Sequence, residues 1–599
     1  MQVHKREKIK IILESFFSTW ALIKAGGIES ESILSLVFFG LCYCFFHYSG
    51  ELLAKEHNKK RIQWVAGIFA GIFTILFLLA KGEHYVEELS AVLFRIGILS
   101  AVAIGFWCLF FEMLCVILDW VSHKERLQQK FCCTESWQGK QFWKKHFFFC
   151  CFLLCFLCWL PYFLYHFPGI MTPDSVNQME QATGLISYSN HHPWVHTLVM
   201  QLLYMTGYAL TGSRVIAMAC YTLFQMIILA LSICYFVNTM KQAGIKPLYC
   251  FLVVLSYGLL PFHAVFSVTV WKDVPFAAGI LLLLTALWKN KIRRHWSNYV
   301  TLGLGTAVMC LFRSNGWYAF LLCFPFFLWG YWKEDKRVLI TLTGVLATAV
   351  IIRGPVMSKF EVAEPDFVES LSVPIQQVAS VLYNGRTLTP EQEKLICQVI
   401  DTSYVEQMYV PSFADNMKEL VRAGHPEYLE AHKRDYFKLW AELGMTYPTD
   451  YLWAYVEQTR GYWEPDSFYR VAEAEGIIES DLGIYSMPLI GGPVVVKAKE
   501  LALKLESVVP VYGTLWSMGT TFWIFLLTLA GVIVRREKKK LLCFLPCLVL
   551  WGTVMIATPV SSEFRYVYFL ILCMPFYLVQ MIIRERNGYP DDGNCVMML

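Results

Sequence analysis

The stretch Lys145–His166 reads KHFFFCCFLLCFLCWLPYFLYH, followed by Phe167-Pro168-Gly169-Ile170-Met171-Thr172-Pro173-Asp174-Ser175. A helix needs about 20 mostly apolar residues to cross the hydrocarbon of a bilayer, and this run supplies them. The prolines and the glycine then break the helix as it leaves the bilayer, which places Asp174 at a water boundary. Comparable runs fall at 32–50, 63–80, 96–118, 213–238, 247–267, 274–288, 297–313, 315–332, 337–354, 517–534, 541–558 and 565–583. A further stretch, 10–25, carries Glu14 and Lys24 and reads equally well as a span or as a helix on the surface.

Composition agrees. Of 599 residues, 56% are hydrophobic and 16% charged, where a soluble chain carries about 25% charged. No water-soluble fold of this size hides so much apolar surface. The fold class expected is an all-α polytopic membrane protein of about 13–14 transmembrane helices with one mostly helical extracytoplasmic domain.

The net charge of +4 is informative once divided. Between Pro355 and Ser517 stand 24 acids and 13 bases, so the remaining chain is strongly basic. Taking 1–10, 55–61, 122–145, 241–246, 289–295, 333–337, 535–540 and 584–586 as internal collects 30 of the 51 Lys and Arg residues. By the positive-inside rule the expectation is a multi-pass protein of the cell membrane with both termini cytoplasmic. Four regions follow: an N-terminal transmembrane extension, 1–144; a transmembrane core, 145–354, with a first outer loop, 167–212; a helical extracytoplasmic domain, 355–516; and C-terminal transmembrane helices with a cytoplasmic tail, 517–599. Residues 193–211 are read as a helix along the outer surface, because a span there would export Lys241 and Lys246.

Within 355–516, Thr389-Pro390-Glu391-Gln392 spells a capping box with Pro at the first helical position. A second helix is expected from Pro426 through Trp440, and a third from Asp450 to Thr459. The region has one cysteine, Cys397, so it holds no internal disulfide. Most of the 20 cysteines lie in apolar runs, where Cys acts as a small hydrophobe, and none has metal-site spacing. No loop assigned to the cytoplasm exceeds about two dozen residues and no Gly-rich phosphate loop occurs, which argues against an ATP-driven pump. No nucleic-acid partner is expected. Any chemistry should use a substrate that comes with the membrane lipids, on the outer face.

The first outer loop supplies Asp174, which reads either as the cap of a short helix from Ser175 to Ala182 or as a reactive carboxylate. Asn190-His191-His192-Pro193 follows, with His196 four residues beyond His192. Single cations recur at the outer ends of spans: Lys272 in Trp271-Lys272-Asp273, Arg313 in Phe312-Arg313-Ser314-Asn315-Gly316, and Arg565 in Glu563-Phe564-Arg565-Tyr566. Each alone could snorkel to headgroups. Three of them, in outer loops otherwise almost free of positive charge, read as a phosphate-binding cluster.

These elements together resemble the GT-C superfamily of integral membrane glycosyltransferases, in the group of protein O-mannosyltransferases and the aminoarabinose transferase of lipid A. The likeness extends over roughly 145–583 and is greatest to uncharacterised bacterial members with a helical outer domain before their last spans. The resemblance implies a polyprenyl-phosphate-linked sugar as donor, attacked on the outer face by an acceptor hydroxyl of unknown origin, with inversion. It implies Asp174 as the catalytic base, Lys272, Arg313 and Arg565 on the donor phosphate, and His191, His192, Asp273 and Glu563 in support. Many members carry paired acids where this chain has Asp174 alone, so no cofactor is certain and a divalent cation stays open. Two other readings remain: a ligase or polymerase for lipid-linked polysaccharide, and a transporter or lipid flippase.

Overall fold

The computed structural model describes residues 2–56, 58–86, 91–132, 141–469 and 476–583. Residues 133–140, the cationic segment 584–586 and the tail to 599 lie outside the described residues. Every apolar run read from the sequence forms helix, and no strand occurs among the described residues, only isolated bridges. Among the described residues, eight helices are long and apolar enough to cross a membrane, nine when the bent pair Pro247–Leu259 and Pro261–Val268 counts as one span. The protein is an all-α, multi-pass membrane protein. Several of the other expected spans are short: Trp296–Leu311 has 16 residues and Met518–Val534 has 17.

The chain divides into two compact units. The first comprises Met1–Lys130 with Phe522–Leu541 and Tyr577–Glu585. Thus parts of the C-terminal region belong with the N-terminal extension, a grouping that the sequence order conceals. In this unit Gln2–Ala25 packs on Val92–Ser122, with Ser15, Ser18 and Ala21 fully buried. The approach is closest at Gly105, where a Cβ would collide with the Phe17 carbonyl, and the Ser18 hydroxyl donates to the Gly105 carbonyl at 3.0 Å. Small residues and short polar contacts of this kind are how membrane helices pack closely. Residues 10–25 are therefore a member of a helix bundle rather than an isolated amphipathic helix.

The second unit comprises, among the described residues, those within Phe131–Thr521 and Leu542–Phe576. Arg214–Gln242 and Asp273–Ile292 pack together at its centre, and the second is buried on nearly all sides. Trp194–Thr211 is a helix, as expected, and packs on Arg214–Gln242 at Gly207, where a Cβ would lie 2.9 Å from the Ala217 Cα. It is not among the helices apolar enough to span. Residues Val368 to Tyr451 enclose a hydrophobic core of their own. The Thr389 capping box forms as expected, the Gln392 backbone N–H donating to Thr389 Oγ1 at 3.3 Å.

Two helices differ from expectation. The run 247–267 is broken at Leu260, which is extended, and the halves bend by 58°. Pro261 is the cause, since proline disfavours helical geometry in the residue before it and donates no hydrogen bond. The helix expected from Pro426 to Trp440 is two, Pro426–Ala431 and Lys433–Thr446, parted at His432. The helix expected at Asp450–Thr459 runs Pro448–Thr459.

Candidate functional site

The bend at Pro261 directs the chain after Val268 back across the end of the preceding span. Residues Thr269 and Val270 are extended there and pair with Ile170 just past the end of Gln141–Tyr165. Ile170 donates to the Val268 carbonyl and Val270 donates to the Ile170 carbonyl, both at 2.9 Å. On the other side Met171 donates to the Gly476 carbonyl at 3.0 Å and accepts from Ile478 at 3.2 Å. Buried Gln225 fixes the same turn from Arg214–Gln242, its amide donating to the carbonyls of Phe266, Ser267 and Thr269. These bonds set the Asp174 and Lys272 segments side by side.

Asp174 does not cap its helix. The helix is Pro173–Thr183, and Thr172 and Ser175 form a reciprocal capping box with Pro173 at the first position. Ser175 Oγ also donates to the Val270 carbonyl, and the Trp271 indole donates to Thr172 Oγ1 at 2.7 Å. Asp174, in the first turn, is left with a carboxylate free of capping duty. Arg565 Nη1 donates to its Oδ2 at 2.7 Å, and Lys272 Nζ lies 3.7 Å from the same oxygen.

The remaining residues gather around this pair. Lys272 also donates to His192 Nδ1 at 2.6 Å, which makes His192 an acceptor there and puts its proton on Nε2. Arg313 pairs with Asp273, whose side chain is 2% exposed. Glu563 Oε1 lies 3.6 Å from Arg565 Nε. Tyr566 stands between two guanidiniums, with Arg313 and Arg565 each 5.3 Å from its ring centre, and Arg565 is 5.1 Å from that of Trp271. Cations over aromatic faces in a partly desolvated site are held by the ring quadrupole. Tyr566 and Trp271 went unassigned in the sequence, although both adjoin a cation in the motifs quoted.

Three further residues named from the sequence have partners of their own. His191 turns toward Glu369, 3.9 Å from its carboxylate, and Glu369 in turn pairs with Lys418 and Arg422. His196 is fully buried, bonded to Tyr221 Oη at 2.6 Å and to Gln178. It is a satisfied core histidine, and the spacing His192-x-x-x-His196 does not make a pair of ligands. Asp273 serves Arg313.

The electrostatics follow from burial and neighbours. Burial alone would raise the Asp174 carboxyl, but Lys272, Arg565 and His192 outweigh it and hold it well below the usual carboxylate range. Burial lowers the Lys272 ammonium, with Asp174 and Asp273 opposing. Burial and the adjacent Lys272 lower His192 and keep it neutral. Burial raises Glu563 against the pull of Arg565. Three cations therefore face the ionised Asp174, Asp273 in its pair with Arg313, and Glu563, which burial biases toward its neutral form. A divalent ion fits this donor set poorly: Asp174, His192 and Asp273 each already face a lysine or arginine. Among the described residues, the three metal-type ligands that do converge are Glu56, Asp119 and His123, in the other unit.

A multi-pass all-α membrane protein that gathers a carboxylate and three cations at the ends of its helices is the class that fold and site define. The chain belongs to the family described as "Family of unknown function (DUF6020)", which matches residues 183–592. The match includes Lys272, Arg313, Glu563 and Arg565 and begins beyond Asp174. No curated protein and no solved structure matches the chain.

Proposed function

We propose that this protein is a GT-C-type membrane glycosyltransferase that moves a sugar from a polyprenyl-phosphate donor to an acceptor hydroxyl on the outer face. The observation that carries the reading is the Asp174 carboxylate held between Lys272 and Arg565 where spans end. A base and anion-binding groups in contact are what such a transfer requires. The acceptor must lose a proton as it attacks the anomeric carbon, and the phosphate left behind gains charge that nearby cations stabilise.

A carboxylate paired with two cations is a weak base. The donor phosphate competes with Asp174 for Lys272 and Arg565, and as these turn to the phosphate the carboxylate loses the charges that depress its basicity. Donor binding thus prepares the base. The acceptor oxygen then bonds to the anomeric carbon, the bond from that carbon to the phosphate oxygen breaks, the acceptor proton passes to Asp174, and polyprenyl phosphate departs. One displacement inverts the anomeric centre, with no second carboxylate needed. The tyrosine and tryptophan faces around Arg565 hold the guanidinium within the site as it exchanges carboxylate for phosphate.

The direct test is release of radiolabelled sugar from a polyprenyl-phosphate sugar by purified protein in proteoliposomes, with a hydroxyl-bearing acceptor fraction from the cell envelope. Donor that stays intact across a panel of sugars and acceptors, although it binds, would refute the transfer. Sidedness has a native reporter. Cys397 is exposed within 355–516, so a membrane-impermeant maleimide should label it in intact cells and fail on Cys397→Ser. Labelling that appears only after lysis would place this region, and the site with it, on the cytoplasmic side.

A further inference from the structure

Residues 487–508 carry a feature the reaction does not use. The chain is tied to the end of the span Lys145–Tyr165: Met487 donates to the Phe167 carbonyl and Leu489 to the Leu164 carbonyl, both at 2.8 Å. It then forms the helix Pro493–Val508, PVVVKAKELALKLESV, in which no residue is buried. Lys499 Nζ sits 4.9 Å from the centre of the Tyr165 ring, the last residue of that span. Nine residues separate Val508 from the apolar helix Met518–Val534. The helix is thus fixed, in space at one side and in sequence at its end, to segments that enter the membrane at this level.

Its surface is divided. At 100° per residue, Val494, Ala498, Leu501, Leu505 and Val508 fall on one stripe; Val494 is 81% exposed, Leu501 64% and Val508 72%. Lys497 and Lys504 border one side of the stripe, while Glu500, Glu506 and Ser507 lie on other faces together with Val496, which is 37% exposed. The most exposed apolar side chains gathered on one face of a short helix, with lysines along one edge, are the pattern of a helix lying in a bilayer interface. The two bordering lysines also stand out in a region of excess acid, and suit lipid phosphates rather than an acidic protein surface alone.

We propose that Pro493–Val508 is an interfacial helix whose Val494–Leu501–Val508 stripe rests in the lipid leaflet on the side that carries the candidate site, with Lys497 and Lys504 at headgroup level. The occupant of the unpartnered face is lipid, and the assignment is independent of the reaction. A stripe anchored there holds the chain between Lys145–Tyr165 and Met518–Val534 at a fixed depth.

The test is site-directed spin labelling of the full chain in nanodiscs of phosphatidylcholine with phosphatidylglycerol. The nitroxide is attached through an unnatural amino acid, since the chain has 20 cysteines. Probes at Leu501 and Val508 should collide with oxygen more than with a water-soluble nickel chelate, and report a depth of about 5–10 Å. Probes at Glu500 and Ser507 should show the reverse. Equal nickel access on both faces would put the helix in water. Exclusion of both reagents at Leu501 and Val508 would mean that a protein surface, a second copy or another chain, covers the stripe. Either result overturns the proposal.

Discussion

Asp174→Asn is expected to reduce sugar transfer by at least about 100-fold while leaving donor binding undiminished or tighter. The substitution is conservative in every structural respect. Thr172 and Ser175 close the helix cap without Asp174, and the amide oxygen can still accept from Arg565. What is lost is a proton acceptor and one negative charge. Losing the charge leaves Lys272 and Arg565 without their partner, which favours an anionic ligand rather than opposing it. Opposite signs for rate and affinity in one variant separate a base from a group that merely holds the site together, because the latter would weaken both. Initial rates of transfer and equilibrium binding of labelled polyprenyl-phosphate sugar, measured on the same preparation, check it. Near wild-type turnover would remove Asp174 from the reaction.

The same argument gives the pH dependence a sign. In the free protein Asp174 is held well below the usual carboxylate range by Lys272 and Arg565, so it stays ionised and kcat/KM should show no acid limb from it near pH 4. Once donor phosphate engages the cations the depression is relieved, and the acid limb of kcat should move up toward the ordinary aspartate value of about 3.9. A limb that stays put would mean that the cations never leave the carboxylate.

Much of the fold is legible because a span must be long, apolar and helical, and each requirement leaves a mark in sequence. Thirteen runs read this way, with 10–25 left open, and each stands in helix, the run 247–267 as two; among the described residues eight helices, or nine with that bent pair as one, are long and apolar enough to cross. Where detail is lost, proline is usually the reason. Pro261 sits inside an otherwise continuous apolar run, yet it obliges Leu260 to leave helical geometry. Pro173 held the answer for Asp174: proline favours the first helical position, which assigns the cap to Thr172. The site itself is another matter. Lys272, Arg313 and Arg565 are conspicuous as isolated cations, yet which acid each meets depends on contacts between residues as far apart as Asp174 and Arg565, separated by 391 positions. No periodicity encodes that distance. Nor could spacing alone tell His192, on Lys272, from His196, buried against Gln178 and Tyr221.

The three cations should separate when each is replaced by Gln, though sequence grouped them as one phosphate clamp. Lys272 and Arg565 share Asp174, whose side chain is 31% exposed; water can reach the carboxylate left behind, so folding should change little. Each loses a charge-assisted bond to the donor, worth about 1.5–3 kcal/mol, or roughly 10- to 150-fold in affinity at 1.4 kcal/mol per decade. Arg313 is different. Its partner Asp273 is 2% exposed, and Arg313→Gln strands a buried carboxylate, a change that costs about 3–5 kcal/mol in other buried pairs. Its main effect should therefore be a fall in the thermal midpoint in detergent, and Asp273→Asn in the same chain should recover most of it by removing the stranded charge. Donor affinity measured in that stabilised double variant then reports what Arg313 gives to the phosphate directly. A cycle in which all three single variants lose binding alike, with no loss of stability at Arg313, would restore the clamp of three equivalent cations. Unchanged affinity in all three would return them to headgroup contacts and remove the donor phosphate from this site.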